Sequence, residues 1–166
     1  MLRFKFIQTN LFFLILISLI AFLLYGKSIL FDFTECDDTL LIKDKFSYIS
    51  NIINIPEFFI TSCYYNNDNA YYRPILSLSF SVESILFGLN TRVYHTTNII
   101  LFILALYLMY LFLVKLNFNI NLLKFVFLLL AIHPIFVSTV CWIPARNDTL
   151  LVIFIMLSFM FFVNYI

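Results

Sequence analysis

Apolar residues along this chain come in long unbroken runs rather than in the alternation of half-buried elements. Residues 11–24 hold only Leu, Phe, Ile, Ala and one Ser, and Ile7 and Tyr25 extend the run toward the roughly 20 residues a helix needs to cross a bilayer. The pattern predicts a first membrane helix over 7–25. A cleaved signal peptide would share its basic start and apolar middle, but Tyr25-Gly26-Lys27-Ser28 lacks the small-x-small cleavage pattern, which favours an uncleaved helix. Four further runs predict helices over 74–90, 94–114, 122–142 and 148–166. Pro74 opens the first of these at a position where its missing N–H costs nothing. His133-Pro134 interrupts the 122–142 run and Pro144 follows it, so that segment is broken rather than straight.

The one polar stretch of any size is 27–72. It holds Asp32, Glu35, Asp37, Asp38, Asp44, Glu57 and Asp68, and the asparagines Asn51, Asn54, Asn66, Asn67 and Asn69. Apolar pairs such as Ile52-Ile53 and Phe58-Phe59 recur among them, which suits short amphipathic helices lying on a membrane surface. Arg3 and Lys5 before the first helix place the N-terminus in the cytoplasm. The loop then lies on the outer face and Arg92, past the second helix, on the cytoplasmic face.

Composition sharpens this to a class. Of 166 residues, 63% are hydrophobic and 11% charged, with mean hydropathy +1.02. Soluble domains carry about 45–50% apolar and about 25% charged residues, and a small domain has too much surface to hide the excess. The fold class expected is all-α, a polytopic membrane protein of four to five transmembrane helices with one outer loop. A net charge of +1 with scattered basic residues argues against a nucleic-acid partner. Cys36, Cys63 and Cys141 lack metal-ligand spacing. A Cys36–Cys63 disulfide is open, although three is an odd count. The chain ends inside an apolar run at Ile166, which reads as the N-terminal piece of a larger protein.

Several polar residues need an explanation. Asp37-Asp38 can bind a divalent ion, can offer one carboxylate as a general base, or can be a solvated acidic turn. Arg73 stands at the mouth of the second helix after Tyr71-Tyr72, where a guanidinium can hold a phosphate bidentately and the tyrosines can anchor the interface. Glu83 falls mid-helix and must face protein or water. His95 and Asn98, three apart, share a helix face. Arg146 and Asp148 precede the last helix, Asp148 as a cap or Arg-x-Asp as a salt bridge.

In this order, Asp37-Asp38, Tyr72-Arg73-Pro74-Ile75, Phe87-Gly88-Leu89-Asn90, Tyr94-His95, Asn98, His133-Pro134, Val140, Trp142, Arg146, Asp148 and Leu150 resemble the GT-C-type membrane glycosyltransferases. The resemblance is specifically to the branch with C-terminal tetratricopeptide repeats: the transmembrane tetratricopeptide O-mannosyltransferase-like proteins and their bacterial relatives. The resemblance covers about residues 31–151. It departs at Ser138, where the family usually has Glu, and at Ala145, where it has Gly or Glu. It implies a partial GT-C fold in a bacterial inner membrane or the endoplasmic reticulum. It also implies a polyprenyl-phosphate sugar donor drawn from membrane lipid, and an acceptor of unknown identity. Asp37 or Asp38 would be the base or the ligand of a divalent metal ion, and Arg73 would bind the phosphate. Arg146, Asp148 and His133 would line the cavity, with Glu83, His95 and Asn98 as scaffold. This segment alone is expected to be inactive. Four clean crossings put Arg146 inside, whereas the family implies the outer face. A membrane transporter using Glu83, and a noncatalytic scaffold or gene remnant, are the rival readings.

Overall fold

The structure is a computed structural model that describes residues 2–65 and 71–165, with side chains from Asn10 onward. The side chains of Arg3 and Lys5, and Asn66, Asn67, Asp68 and Asn69, lie outside the described residues.

The described residues are helical and contain no strand. The first helix, α1, is Leu2–Tyr25, and a 3-10 turn, Gly26–Leu30, continues it. The loop folds into a π-helical turn, Thr39–Lys43, a four-residue helix α2, Phe46–Ile49, and a 3-10 segment, Ile52–Phe59. Then come α3 (Pro74–Phe87), α4 (Thr91–Lys115), α5 (Ile120–Ile132), α6 (Phe136–Cys141) and α7 (Arg146–Tyr165). Three segments, Asn10–Leu30, Thr91–Lys115 and Ile143–Tyr165, are long and apolar enough to cross a membrane. The 122–142 run divides at Pro134 into α5 and α6, because the ring denies a helical N–H and forces His133 into extended backbone.

Contacts between the helices fix their directions. Tyr110 of α4 donates to Asn10 of α1 at 2.9 Å, Tyr107 to the Leu14 carbonyl at 2.8 Å, and Phe102 packs edge-on to Tyr25 at 5.5 Å. Late α4 therefore sits beside early α1, and the two run antiparallel. Early α4 meets the loop, with Phe33 against Tyr94 at 5.6 Å and Phe31 against His95 at 6.2 Å. Alpha-5 runs back toward the loop end: Phe127 packs on Tyr110 at 5.4 Å, while Ala131 offers its carbonyl to Tyr25. Alpha-7 leaves the loop end with Arg146 against Asn98 and finishes with Phe159 stacked on Phe112.

One expected crossing takes an unexpected place in the fold. The run 74–90 reads as a crossing, but both ends of α3 lie at the loop end of the bundle. Gly88, at φ +65°, turns the chain so tightly that α4 starts three residues later. Tyr94 then donates back to the Gly88 carbonyl at 3.1 Å and exchanges a 2.7 Å hydrogen bond with Ser84. At the other end of α3, Tyr72 donates to the Phe59 carbonyl in the loop at 2.8 Å. Alpha-3 is 14 residues, about 21 Å at 1.5 Å per residue. Its serines Ser77, Ser81 and Ser84 and Glu83 are buried, so its polar side faces protein. Arg92 therefore lies with the loop. A cysteine placed at Thr91 should react with a membrane-impermeant maleimide from the same side as the exposed Cys36, and one at Asn119 from the other side. Labelling of Thr91→Cys and Asn119→Cys from one side would overturn the topology.

Two apolar cores result. One joins α1, α4, α5 and α6 through Ile17, Phe102, Tyr110, Phe127 and Val140. The other lies at the loop end, where Leu41, Ile42 and Ile49 pack on Leu76 and Phe80 of α3, Tyr94 of α4 and Ile143. This second core clamps the loop over the bundle and sets where its charged residues can point. Cys36, Cys63 and Cys141 are all free, so the Cys36–Cys63 pair is not a disulfide.

Candidate functional site

At the loop end the fold forms an open-sided cavity of about 390 Å³. Asp37 enters it from the loop, and Tyr64, Tyr71 and Arg73 from the loop's last residues. Trp142 and Ala145 come from the α6–α7 link, and Asn147 and Asp148 from the first turn of α7. The link is a 3-10 turn, Ile143–Ala145, with Pro144 in it, rather than a continuous α-helix, and Asn98 of α4 holds it by donating to the carbonyls of Val140, Trp142 and Ile143 at 3.1–3.4 Å. Irregular backbone at membrane depth is tolerated where protein satisfies its polar groups in this way.

Arg73 is half-buried and sits over the Tyr71 ring, 5.5 Å from its centre. Tyr71 in turn packs edge-on to Tyr64 at 5.7 Å. The Tyr71 backbone is left-handed, φ +63°, a conformation that strains a residue with a Cβ and is stored where surrounding structure insists on it. Burial pushes the Tyr64 hydroxyl pKa up, and the neighbouring Asp37 carboxylate pushes it further, while Arg73 pulls the other way. Tyr64 therefore stays a neutral donor beside Asp37. Burial likewise pushes up the pKa of the nearby Cys63 thiol, so this cysteine is protonated and unreactive.

The adjacent acids diverge. Asp37 is half-buried and lines the cavity, whereas Asp38 is 1% exposed and accepts from the Thr34 N–H at 2.9 Å. Asp38 closes the turn that carries Asp37. The pair does not present two carboxylates to one ion, and no group of three or more potential metal ligands assembles among the described residues.

Arg146 does not line the cavity. It is fully buried and forms an ion pair with Glu83 at 2.7 Å. It also donates to Asn98 Oδ1 at 2.7 Å, Ser79 at 3.2 Å and the Tyr94 carbonyl at 3.0 Å, and stacks over Phe80. The Arg-x-Asp reading as a salt bridge is thus replaced by a pairing with Glu83 that ties α7 to α3 and α4. His133 also lies off the cavity, ending α5 with its Nδ1 accepting from the Ile135 N–H at 3.2 Å. His95 is 2% exposed and packs against Phe31. Ser138 is exposed on α6 and is not in the cavity wall. Sequence reasoning missed Tyr64, Asn147 and Trp142 as wall residues; the covering of one cavity by three separate segments leaves no local signal.

A second recess, about 220 Å³, adjoins the first through Arg73 and Asn147. Its other walls are Ile75 and Leu76 of α3 and Leu150, Leu151 and Phe154 of α7. Arg73 thus stands between a polar chamber and an apolar groove.

Compared with family models, with curated proteins and with solved structures, the chain matches none.

Proposed function

We propose that the chain forms part of a membrane glycosyltransferase that moves a sugar from a polyprenyl-phosphate donor to an acceptor hydroxyl. The observation that carries this reading is the convergence of Asp37, Arg73 and Asp148 on one cavity, with an apolar groove leading away from Arg73. A donor of this class has three parts of different chemistry. Its hydrocarbon chain suits the groove beside Leu150 and Phe154, its phosphate suits the Arg73 fork, and its sugar suits the polar chamber.

In the reaction, the acceptor oxygen bonds to the anomeric carbon as the bond from that carbon to the phosphate oxygen breaks. The electron pair leaves with the lipid phosphate, and Arg73 stabilises the charge that develops there. Asp37 takes the acceptor proton, and Tyr64 orients the Asp37 carboxylate. Burial of Asp38 supports Asp37 as the base.

The helix directions support the outer face for this site. With α1, α4, α5 and α7 as crossings, α5 being short, and α3 folded back among the loop helices, Arg146 and Asp148 share the loop's face. The conflict raised by counting α3 as a crossing disappears. A cytoplasmic N-terminus puts that face outside. The transporter reading loses its main support, because Glu83 is paired with Arg146.

Trp142 is the sole tryptophan and it lines the cavity, which gives a direct reporter. Titrating farnesyl phosphate into the protein in nanodiscs should shift Trp142 emission saturably, while farnesol should not. No saturable shift, or an equal shift with farnesol, would remove the reading.

A further inference from the structure

A third recess lies on the far side of Asp148. It measures about 390 Å³ and runs between α4, α5, α6 and α7. Phe102, Leu106 and Met109 of α4, Leu130 of α5, Phe136 of α6 and Val152 of α7 form its apolar walls. Phe102 to Met109 spans about 10 Å of helix, so the recess extends well into the membrane-spanning part of the bundle. Asp148 belongs to the walls of both this recess and the polar cavity and stands between them.

We infer that this cleft holds the hydrocarbon chain of the acceptor, and that the acceptor is a neutral lipid bearing a free hydroxyl. The inference rests on the glycosyl-transfer reading and names its acceptor class. Three features carry it. An apolar space this large between helices leaves its lining side chains short of partner atoms, and at bilayer depth a lipid chain fills such a space. Met109 and the aromatic rings give the adaptable walls that a flexible chain needs. Charge then selects the head. Asp148 is the one ionisable residue in the cleft wall, and no cation lines it. An anionic head group entering there meets the like charge of the exposed Asp148 carboxylate, which a neutral hydroxyl head does not.

The two apolar recesses therefore differ at their mouths. The groove at Arg73 has a cationic mouth suited to a lipid phosphate, and the cleft at Asp148 an anionic mouth that rejects one. A hydroxyl that has passed Asp148 stands in the chamber that also holds Asp37. The acceptor oxygen bonds there to the anomeric carbon, its proton goes to Asp37, and the phosphate leaves with the bonding pair. Asp148 acts as a specificity residue and takes no proton.

The test uses two photoreactive lipids with the same diazirine acyl chain, a diacylglycerol and a phosphatidic acid, in nanodiscs with the whole chain. Crosslinks are mapped by mass spectrometry. Diacylglycerol should label the walls around Met109, Phe136 and Val152 about tenfold more than phosphatidic acid, the scale of one unfavourable charge contact. Asp148→Asn should raise phosphatidic acid labelling toward that of diacylglycerol. Val152→Phe should fill the cleft and remove both signals, with the farnesyl phosphate response of Trp142, still the sole tryptophan, showing that the variant is folded. Equal labelling by both lipids in the unaltered protein means ordinary bilayer lipid and overturns the inference. So does an absence of labelling by either, which would mean that another protein segment covers the cleft. A lost farnesyl phosphate response with the tenfold preference intact would sink the donor reading and leave the neutral-lipid cleft standing.

Discussion

Replacing Arg146 with Met should destabilise the protein by about 3–5 kcal/mol, the cost of leaving a buried partner charge uncompensated. The guanidinium is fully buried and its side chain touches three helices at once. It pairs with Glu83 of α3, bonds Asn98 and the Tyr94 carbonyl of α4, and itself begins α7. Removing it leaves the Glu83 carboxylate at 6% exposure with neither oxygen satisfied, since Oε1 already has no partner. Arg146→Lys should recover little, because one ammonium cannot reproduce a planar fork that meets four acceptors. The double variant Arg146→Met with Glu83→Gln should regain part of the loss, since it removes both charges from the low-dielectric site. Denaturant titration of detergent-solubilised protein, followed by far-ultraviolet circular dichroism, measures the differences. A loss under about 1 kcal/mol for Arg146→Met would place this pair with the weak exposed ones and contradict its burial.

That keystone also shows where sequence reading stops. The three long apolar helices and the break at Pro134 were legible, because run length and proline position act locally. The pairing of Arg146 with Glu83, 63 residues apart, was not, and Arg146 was expected in the cavity wall. Nor was the fold-back of α3. Its 14 apolar-rich residues look like a crossing by hydropathy, and the decisive features are the tertiary contacts of Ser84 and Gly88 with Tyr94. A clue was present in four serines and a glutamate within that helix, Ser77, Ser79, Ser81, Ser84 and Glu83, too many polar groups for a lipid-facing span. At the site, sequence proposed Asp37, Arg73 and Asp148, and the fold brings them to one cavity. Between Asp37 and Asp38 no local pattern could choose. The choice is made by the Thr34 N–H, which holds Asp38 into the protein and leaves Asp37 facing the chamber.

Arg73→Ala should weaken farnesyl phosphate binding about a hundredfold, as read by Trp142 emission. Two charge-assisted hydrogen bonds to a phosphate, at about 1.5 kcal/mol or more each, amount to about 3 kcal/mol, and each 1.4 kcal/mol is tenfold. Arg73→Lys should fall between, since it keeps a point charge and loses the bidentate geometry. Asp37→Asn separates the roles. It removes a carboxylate from a chamber that must accept a phosphate next door, so binding should hold or tighten slightly. The same change deletes the proton acceptor on which transfer depends. If Arg73→Ala bound as well as the unaltered protein, the guanidinium would be a partner of Tyr71 alone, the cation–π contact at 5.5 Å would be its whole role, and the phosphate site would have to be sought elsewhere. If Arg73→Ala and Asp37→Asn weakened binding equally, the cavity would be responding as one packed unit, and neither residue would have the distinct charge role assigned to it here.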